Sequence, residues 1–196
     1  MSKLSNKRIS VLFFSIAFSI SATLAIPKIG YSMEKAHNFS PYVEKSGNIS
    51  LPPDFRISMV HLGSWLIPDG DASGFHDVYT EAATAIHYRK TGKFPDGATI
   101  VKELREAKFG DYTTGKKVGY ASSHIKLWFV MVKDTQGRFP GNQSWGDGWG
   151  WALIKTDDVN KNTSADYKKD CLGCHVPAKD NDWIYVNEYP TLVTPK

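Results

Sequence analysis

Cysteine is nearly absent from this 196-residue chain: there are two, both within Cys171-Leu172-Gly173-Cys174-His175. That scarcity excludes much of ordinary thiol chemistry. A structural zinc site draws about four ligands from two such pairs, or from a pair plus spaced histidines, and no second pair exists. A disulfide across two intervening residues closes too little chain to stabilise a fold. A thioredoxin-like pair opens a helix after the first strand of a parallel α/β domain, and the 21 residues after His175 are too few to complete one. The chain also lacks internal repeats and βαβ alternation, which argues against solenoids and doubly wound sheets. No basic stripe points to nucleic acid or to a lipid surface.

What remains is a cysteine pair followed at once by histidine. Histidine makes up only 6 of 196 residues, so chance would place one there about one time in thirty. The spacing is that of a c-type haem attachment site: each thiol adds across a haem vinyl group, and the adjacent imidazole becomes the proximal iron ligand. Cys171, Cys174 and His175 are therefore expected to hold one covalent haem c per chain, with His175 as the metal ligand. No Met or His follows His175. A sixth ligand must come from upstream, or be absent and leave the iron open to a small molecule.

The N-terminus fits the same compartment. MSKLSNKR is basic, Ile9 to Ile20 carries no charge, and Thr23-Leu24-Ala25 supplies small residues before Ile26-Pro27. This is the pattern of a secretory signal over residues 1–25, cut near Ala25. An uncleaved anchor is disfavoured because the uncharged stretch from Ile9 to Ala25 is short for a bilayer and contains five Ser or Thr. Cleavage removes Lys3, Lys7 and Arg8 and takes the formal charge from +4 to +1. The expected product is a periplasmic protein with no membrane segment, since c-type haem is attached outside the bacterial inner membrane.

Residues 26–50 are polar, broken by Gly30, Pro41 and Gly47, and are expected to form a tether or loosely docked arm. The domain proper is expected over 51–196. The alternation of Phe55, Ile57 and Met59 predicts a strand ending at His61, followed by a loop with Pro68, Gly70 and Gly74. Thr80 to Lys90 is the clearest helix, with Thr80 as cap and Gly92 as stop. After the Pro95-Asp96-Gly97 turn, Ala98 to Leu104 reads as a strand with Ile100, Lys102 and Leu104 on one face. Ile125 to Lys133 and Trp149 to Lys155 read as strands joined through a loop at Gly141 to Gly148. Ser164 to Cys171 forms a short helix, capped by Ser164, that delivers the haem motif. The fold class is mainly β (α+β): an antiparallel sheet with one or two packed helices and haem held on one side.

Phe94-Pro95-Asp96-Gly97-Ala98-Thr99-Ile100-Val101-Lys102-Glu103-Leu104, a Trp-Gly-rich strand, then Cys171 to His175, Pro177-Ala178-Lys179 and Tyr189-Pro190 together resemble the cytochrome P-460 and cytochrome c′-beta family. The resemblance runs from about Leu51 to Leu192. It implies a β-sheet homodimer with one five-coordinate haem per subunit. It also implies oxidation of hydroxylamine in members whose haem edge is bonded to a lysine, matched here by Lys102, and passive nitric oxide binding in members without that bond. Electrons would leave through a redox partner such as another cytochrome.

Strand phase gives Lys102 two readings: an amine among apolar neighbours, relieved of its burial cost by covalent use, or an amine that snorkels outward from a polar face. The oxidising members carry an acid above the iron, and the matching position here is Phe129. A phenyl ring cannot accept the protons that hydroxylamine must lose. Where the family has an arginine near the haem, this chain has His76, whose imidazole could serve as base or hydrogen-bond donor. Lys102 and His76 are thus the candidate catalytic residues, and Phe129 is a candidate wall of the cofactor pocket. His61, His87 and His124 read as structural or exposed, and Met59 and Met131 as core. Trp145, Trp149 and Trp151 fit either a pocket wall or a packed core. Three functions stay open: oxidation of a small nitrogen species (hydroxylamine or nitric oxide), nitric oxide buffering, and simple electron transfer.

Overall fold

The computed structural model describes residues 39–193; the expected signal peptide and its cleavage site lie outside the described residues. Seven strands make one sheet: β1 (Val60–Ile67), β2 (Gly74–Thr80), β3 (Thr99–Tyr112), β4 (Gly115–Lys133), β5 (Trp145–Gly146), β6 (Trp149–Lys155) and β7 (Asp158–Asn162). Their order is β1-β2-β3-β4-β6-β5, with β7 also on β6, and every pairing is antiparallel. The helices are short: α1 (Phe55–Ser58), α2 (Ala82–Thr91), α3 (Tyr167–Asp170) and α4 (Leu172–His175). Among the described residues no helix is long and apolar enough to cross a membrane. The architecture is the mainly β, antiparallel one that the strand patterns predict.

Alternation along β3 gives the sheet two cores. Ile100 and Leu104 are buried on one face and Val101 and Glu103 on the other, as a period of two requires. The first face packs Val78, Ile100, Met131 and Trp151 beneath the C-terminal segment, which contributes Tyr167, Cys171, Trp183, Ile184 and Tyr189. The second face packs Val101, Trp128, Val130, Val132 and Ile154 against Phe55, Met59 and Ile49.

Three local expectations are corrected. The stretch from Phe55 is helical, not extended: Met59 N–H donates to Phe55 O at 2.9 Å, and Ser58 N–H to Asp54 O at 3.0 Å. Phe55 and Met59 are buried while Ile57 is 88% exposed. Positions i and i+4 share a face in a helix turn as well as in a strand, so the spacing of the two buried residues fits both. The chain becomes extended only from Val60. The cap of α2 is Glu81, one residue later than expected, because Thr80 ends β2 and donates its hydroxyl to Thr99 O at 2.7 Å. The cap of α3 is Asp166, which accepts from Lys168 N–H, whereas Ser164 donates to Asp170.

The first part of the domain is also larger than expected. Residues 39–50 of the supposed loose arm are docked: Ile49 is fully buried, and Trp145 Nε1–H donates to Gly47 O at 2.8 Å. β2 fills a stretch the sequence pattern left as loop. Its alternating burial puts His76 and Val78 on the same face as Lys102 and Leu104, since Val78 pairs with Lys102 and His76 with Leu104.

Candidate haem site

The C-terminal segment brings the cysteine pair over the first face of the sheet. Tyr167 anchors it, stacking on Trp151 at 5.7 Å and donating its hydroxyl to Asp147 Oδ2 at 2.9 Å. The approach depends on Gly146, because a Cβ there would strike the Tyr167 hydroxyl. Asp170 closes the turn by accepting from Ser164 Oγ at 2.9 Å. Cys171 and Leu172 then lead directly into the single turn that carries Cys174 and His175.

His175 is held in one tautomer. Its Nδ1–H donates to Trp183 O at 2.7 Å, and its ring meets Trp151 edge-on at 5.0 Å. With Nδ1 carrying the proton, Nε2 keeps its lone pair, which is what a metal ligand requires. Trp183 is itself in the left-handed region, with φ 65°, next to Asp182 at φ 58°. Two such residues in a row are unfavourable for side chains with Cβ atoms, so tertiary contacts must hold them. Lys133 Nζ donates to Asp182 Oδ1 at 2.7 Å, and Trp149 Nε1–H donates to Asp182 O at 3.0 Å. Burial lowers the His175 pKa against the opposing pull of the Trp183 carbonyl, which keeps the imidazole neutral.

Two cavities of about 220 and 60 Å³ flank this histidine, sharing Lys102, Phe129, Met131, Cys174 and His175 in their walls. The larger adds His76, Leu104, Trp151 and Cys171; the smaller adds Trp65, Tyr185 and Tyr189. A still larger groove of about 760 Å³ lies on the opposite face, around Arg56 and Trp128, away from every candidate residue. The chemistry places the site at the two smaller cavities. Both cysteines are free thiols, and burial pushes the Cys171 thiol up to about 11. A redox-active pair characteristically has a depressed thiol pKa, the opposite direction from that of Cys171. Among the described residues no group of three or more His, Cys, Asp or Glu could hold a metal ion.

Lys102 projects into both cavities from the middle of β3. Its Nζ lies 4.3 Å from the centroid of the Phe129 ring, and burial pushes the amine below its ordinary value. No carboxylate pairs with it among the described ion pairs. The amine lies beside Phe129 among apolar cavity walls. His76 is 3% exposed; its Nε2–H donates to Ala72 O at 2.7 Å, and burial lowers its pKa.

The other histidines stay out. His61 is exposed and bonded to Ser64 at 2.8 Å, and His87 and His124 are exposed. Of the three tryptophans, Trp151 lines a cavity, Trp149 packs behind it, and Trp145 belongs to the opposite core. Sequence reasoning missed Trp65, which stacks on His76 at 5.6 Å and on Tyr189 at 6.0 Å. Only recognition of β1 and β2 as partners would have found it. Met131, read as core, is buried and lines both cavities.

A neutral imidazole with a free Nε2, two thiols at its side and an apolar cavity across an antiparallel sheet define a haem-binding β-protein. The chain belongs to the cytochrome P460 family, whose model matches residues 52–186; it is a haem-binding, iron-binding cytochrome of that family. A search of curated proteins finds no match.

Proposed function

We propose that this cytochrome is exported to the periplasm, carries one covalent haem c per chain through Cys171 and Cys174 with His175 as the iron ligand, and oxidises a small nitrogen species, hydroxylamine or nitric oxide. When bound, the haem supplies an iron centre that takes electrons from the ligand and passes them to a redox partner such as another cytochrome. The observation that carries the reading is Lys102. A neutral amine is a nucleophile, and this one has no ion-pair partner among the described residues, is pushed toward neutrality by burial, and lies at the cavity shared with both cysteines. The family's lysine bonded to the haem edge matches this position. His175 would ligate the iron of a bound haem, Trp151 and Tyr167 hold the attachment turn, and Phe129 and Met131 give the cavity apolar walls.

The test is mass analysis of haem peptides together with the ferrous absorption spectrum and hydroxylamine turnover with an artificial electron acceptor. A Lys102 peptide joined through haem to the Cys171–Cys174 peptide, a red-shifted spectrum and steady turnover are expected. A six-coordinate low-spin spectrum without nitric oxide or hydroxylamine binding overturns the proposal. Replacing both cysteines with serine should abolish the haem-stained band on a denaturing gel. N-terminal sequencing of the exported protein should begin near Ile26, and sedimentation should report a homodimer.

Phe129 favours a second reading, a nitric oxide binder without turnover. Its phenyl ring gives β4 no proton acceptor in the cavity. An unlinked Lys102, nitric oxide binding and absent turnover would select it.

A further inference from the structure

Among the described residues, two buried side-chain polar atoms have no hydrogen-bond partner, and one of them, His76 Nδ1, belongs to a residue that lines the larger cavity. Native proteins leave few such atoms unused, and an orphan at a cavity wall points to a ligand. The tautomer follows from the other nitrogen. Ala72 O can only accept, so Nε2 carries the proton and Nδ1 presents a bare lone pair. The ring cannot readily turn over: Trp65 lies parallel to it within 14°, and Tyr189 stacks on Trp65 in turn. Burial presses the imidazole toward neutrality, helped by Lys102 on β3 and Lys126 on β4, and outweighs the opposing pull of the Ala72 carbonyl and of Asp77 on its own strand.

Other acceptors at this cavity are exposed or occupied. Asp71 is exposed, and Asp170 accepts from Ser164 Oγ and from the backbone N–H groups of Ala165 and Asp166. β4 offers Leu127, Phe129 and Met131, of which none accepts a proton. We infer that His76 Nδ1 is the proton acceptor of the cavity, so that the site selects ligands bearing N–H or O–H over diatomic gases. A donor-bearing ligand first hydrogen-bonds to Nδ1. On proton transfer the ligand's N–H or O–H bond breaks, its electron pair stays on the ligand, and the proton goes to Nδ1. Nε2–H keeps its bond to Ala72 O throughout. The inference deepens the small-nitrogen reading and rests on it only for the identity of the ligand.

The experiment uses the haem-loaded protein. Nitrogen NMR of the ferrous, carbon monoxide-bound form, labelled at histidine, should find His76 protonated at Nε2 and bare at Nδ1; a proton on Nδ1 overturns the inference. Affinities for hydroxylamine and hydrazine, which carry N–H, are then compared with that for nitric oxide. His76→Phe should weaken both donors by about tenfold, the worth of one hydrogen bond, and change nitric oxide binding by less than about twofold. His76→Gln, which keeps an acceptor, should recover much of the loss. Equal losses for donors and nitric oxide, no loss, or failure of the wild type to bind either donor overturn the inference. Selective loss with hydrazine in a protein that does not turn over hydroxylamine leaves His76 assigned and refutes the substrate reading alone.

Discussion

Lys102 and Glu103 are neighbours on β3, the first half-buried and the second fully buried, and they face opposite sides of one sheet. Glu103 is fully buried and fully answered: Arg56 and Arg105 pair with it, and Trp128 Nε1–H donates to it at 2.9 Å. Among the described residues Lys102 has no ion-pair partner, and the histidine of β2, His76, keeps an unused lone pair. A buried charge without a partner is costly, so Glu103 keeps its charge among partners on one face, while on the other burial pushes the Lys102 amine toward neutrality. The contrast separates scaffold from site more sharply than cavity size does, because the largest groove lies on the satisfied face.

The contrast can be broken from the satisfied side. Arg56→Leu removes the main partner of Glu103 and should cost about 3 kcal/mol in chemical denaturation, with the haem spectrum unchanged. A spectral change instead would show that the two faces are coupled. A smaller effect is expected where a pair sits at the edge of the fold. Arg138 bonds Asp96 at 3.0 Å and Asp134 at 2.7 Å. Burial would raise the Asp96 pKa, but the bonds from Arg138 and Thr135 outweigh it and hold the acid at about 2 against an ordinary 3.8. A depressed acid contributes stability above its unfolded value and loses it as pH falls through the folded one. Arg138→Met should therefore cost about 1–2 kcal/mol above pH 4, and the difference from wild type should shrink toward zero by about pH 2.

Lys133→Met removes the bond to Asp182, a partly exposed pair, and should cost about 1 kcal/mol or less in thermal unfolding. Its larger trace should be a shifted haem potential, since Asp182 adjoins the carbonyl that holds His175. The smallest stability effect belongs to the other side of the comparison. Lys102→Met leaves no ion-pair partner behind, so non-covalent stability should change by less than about 1 kcal/mol while the spectrum becomes that of an ordinary c-type haem. A loss as large as that of Arg56→Leu would erase the distinction between the faces.

Parts of this arrangement were legible in the chain because their causes are local. Cys171 to His175 declares its chemistry by contiguity, and Lys102 declares its face by the phase of Ile100 and Leu104. Trp149 to Lys155 reads as a strand from β-formers alone, and its limits agree with β6. Other parts have no local cause. Phe55 and Met59 fit a helix turn as well as a strand, and the bonds of the turn, from Ile57 and Ser58 N–H to Asp54 O and from Met59 N–H to Phe55 O, decide between them. β2 carries Gly74, His76 and Asp77, weak β-formers that become a strand because β1 and β3 supply partners on both sides. The stack of Trp65 on His76 depends on that pairing and was invisible for the same reason. His76 could be named as a candidate from its position, but its tautomer required the Ala72 carbonyl from the preceding loop.

The acceptor that sets His175 is a main-chain oxygen, and an oxygen of that kind cannot be deleted by any change of side chain. Substitution at 183 alters the packing of the ring and the ease of a left-handed backbone, yet every residue placed there still offers a carbonyl. The His175 tautomer is in this sense insulated against point mutation, whereas Lys102, Phe129 and His76 are each one substitution from a different wall. Sequences that diverge from this one can therefore vary the cavity side chains freely while His175 keeps its orientation.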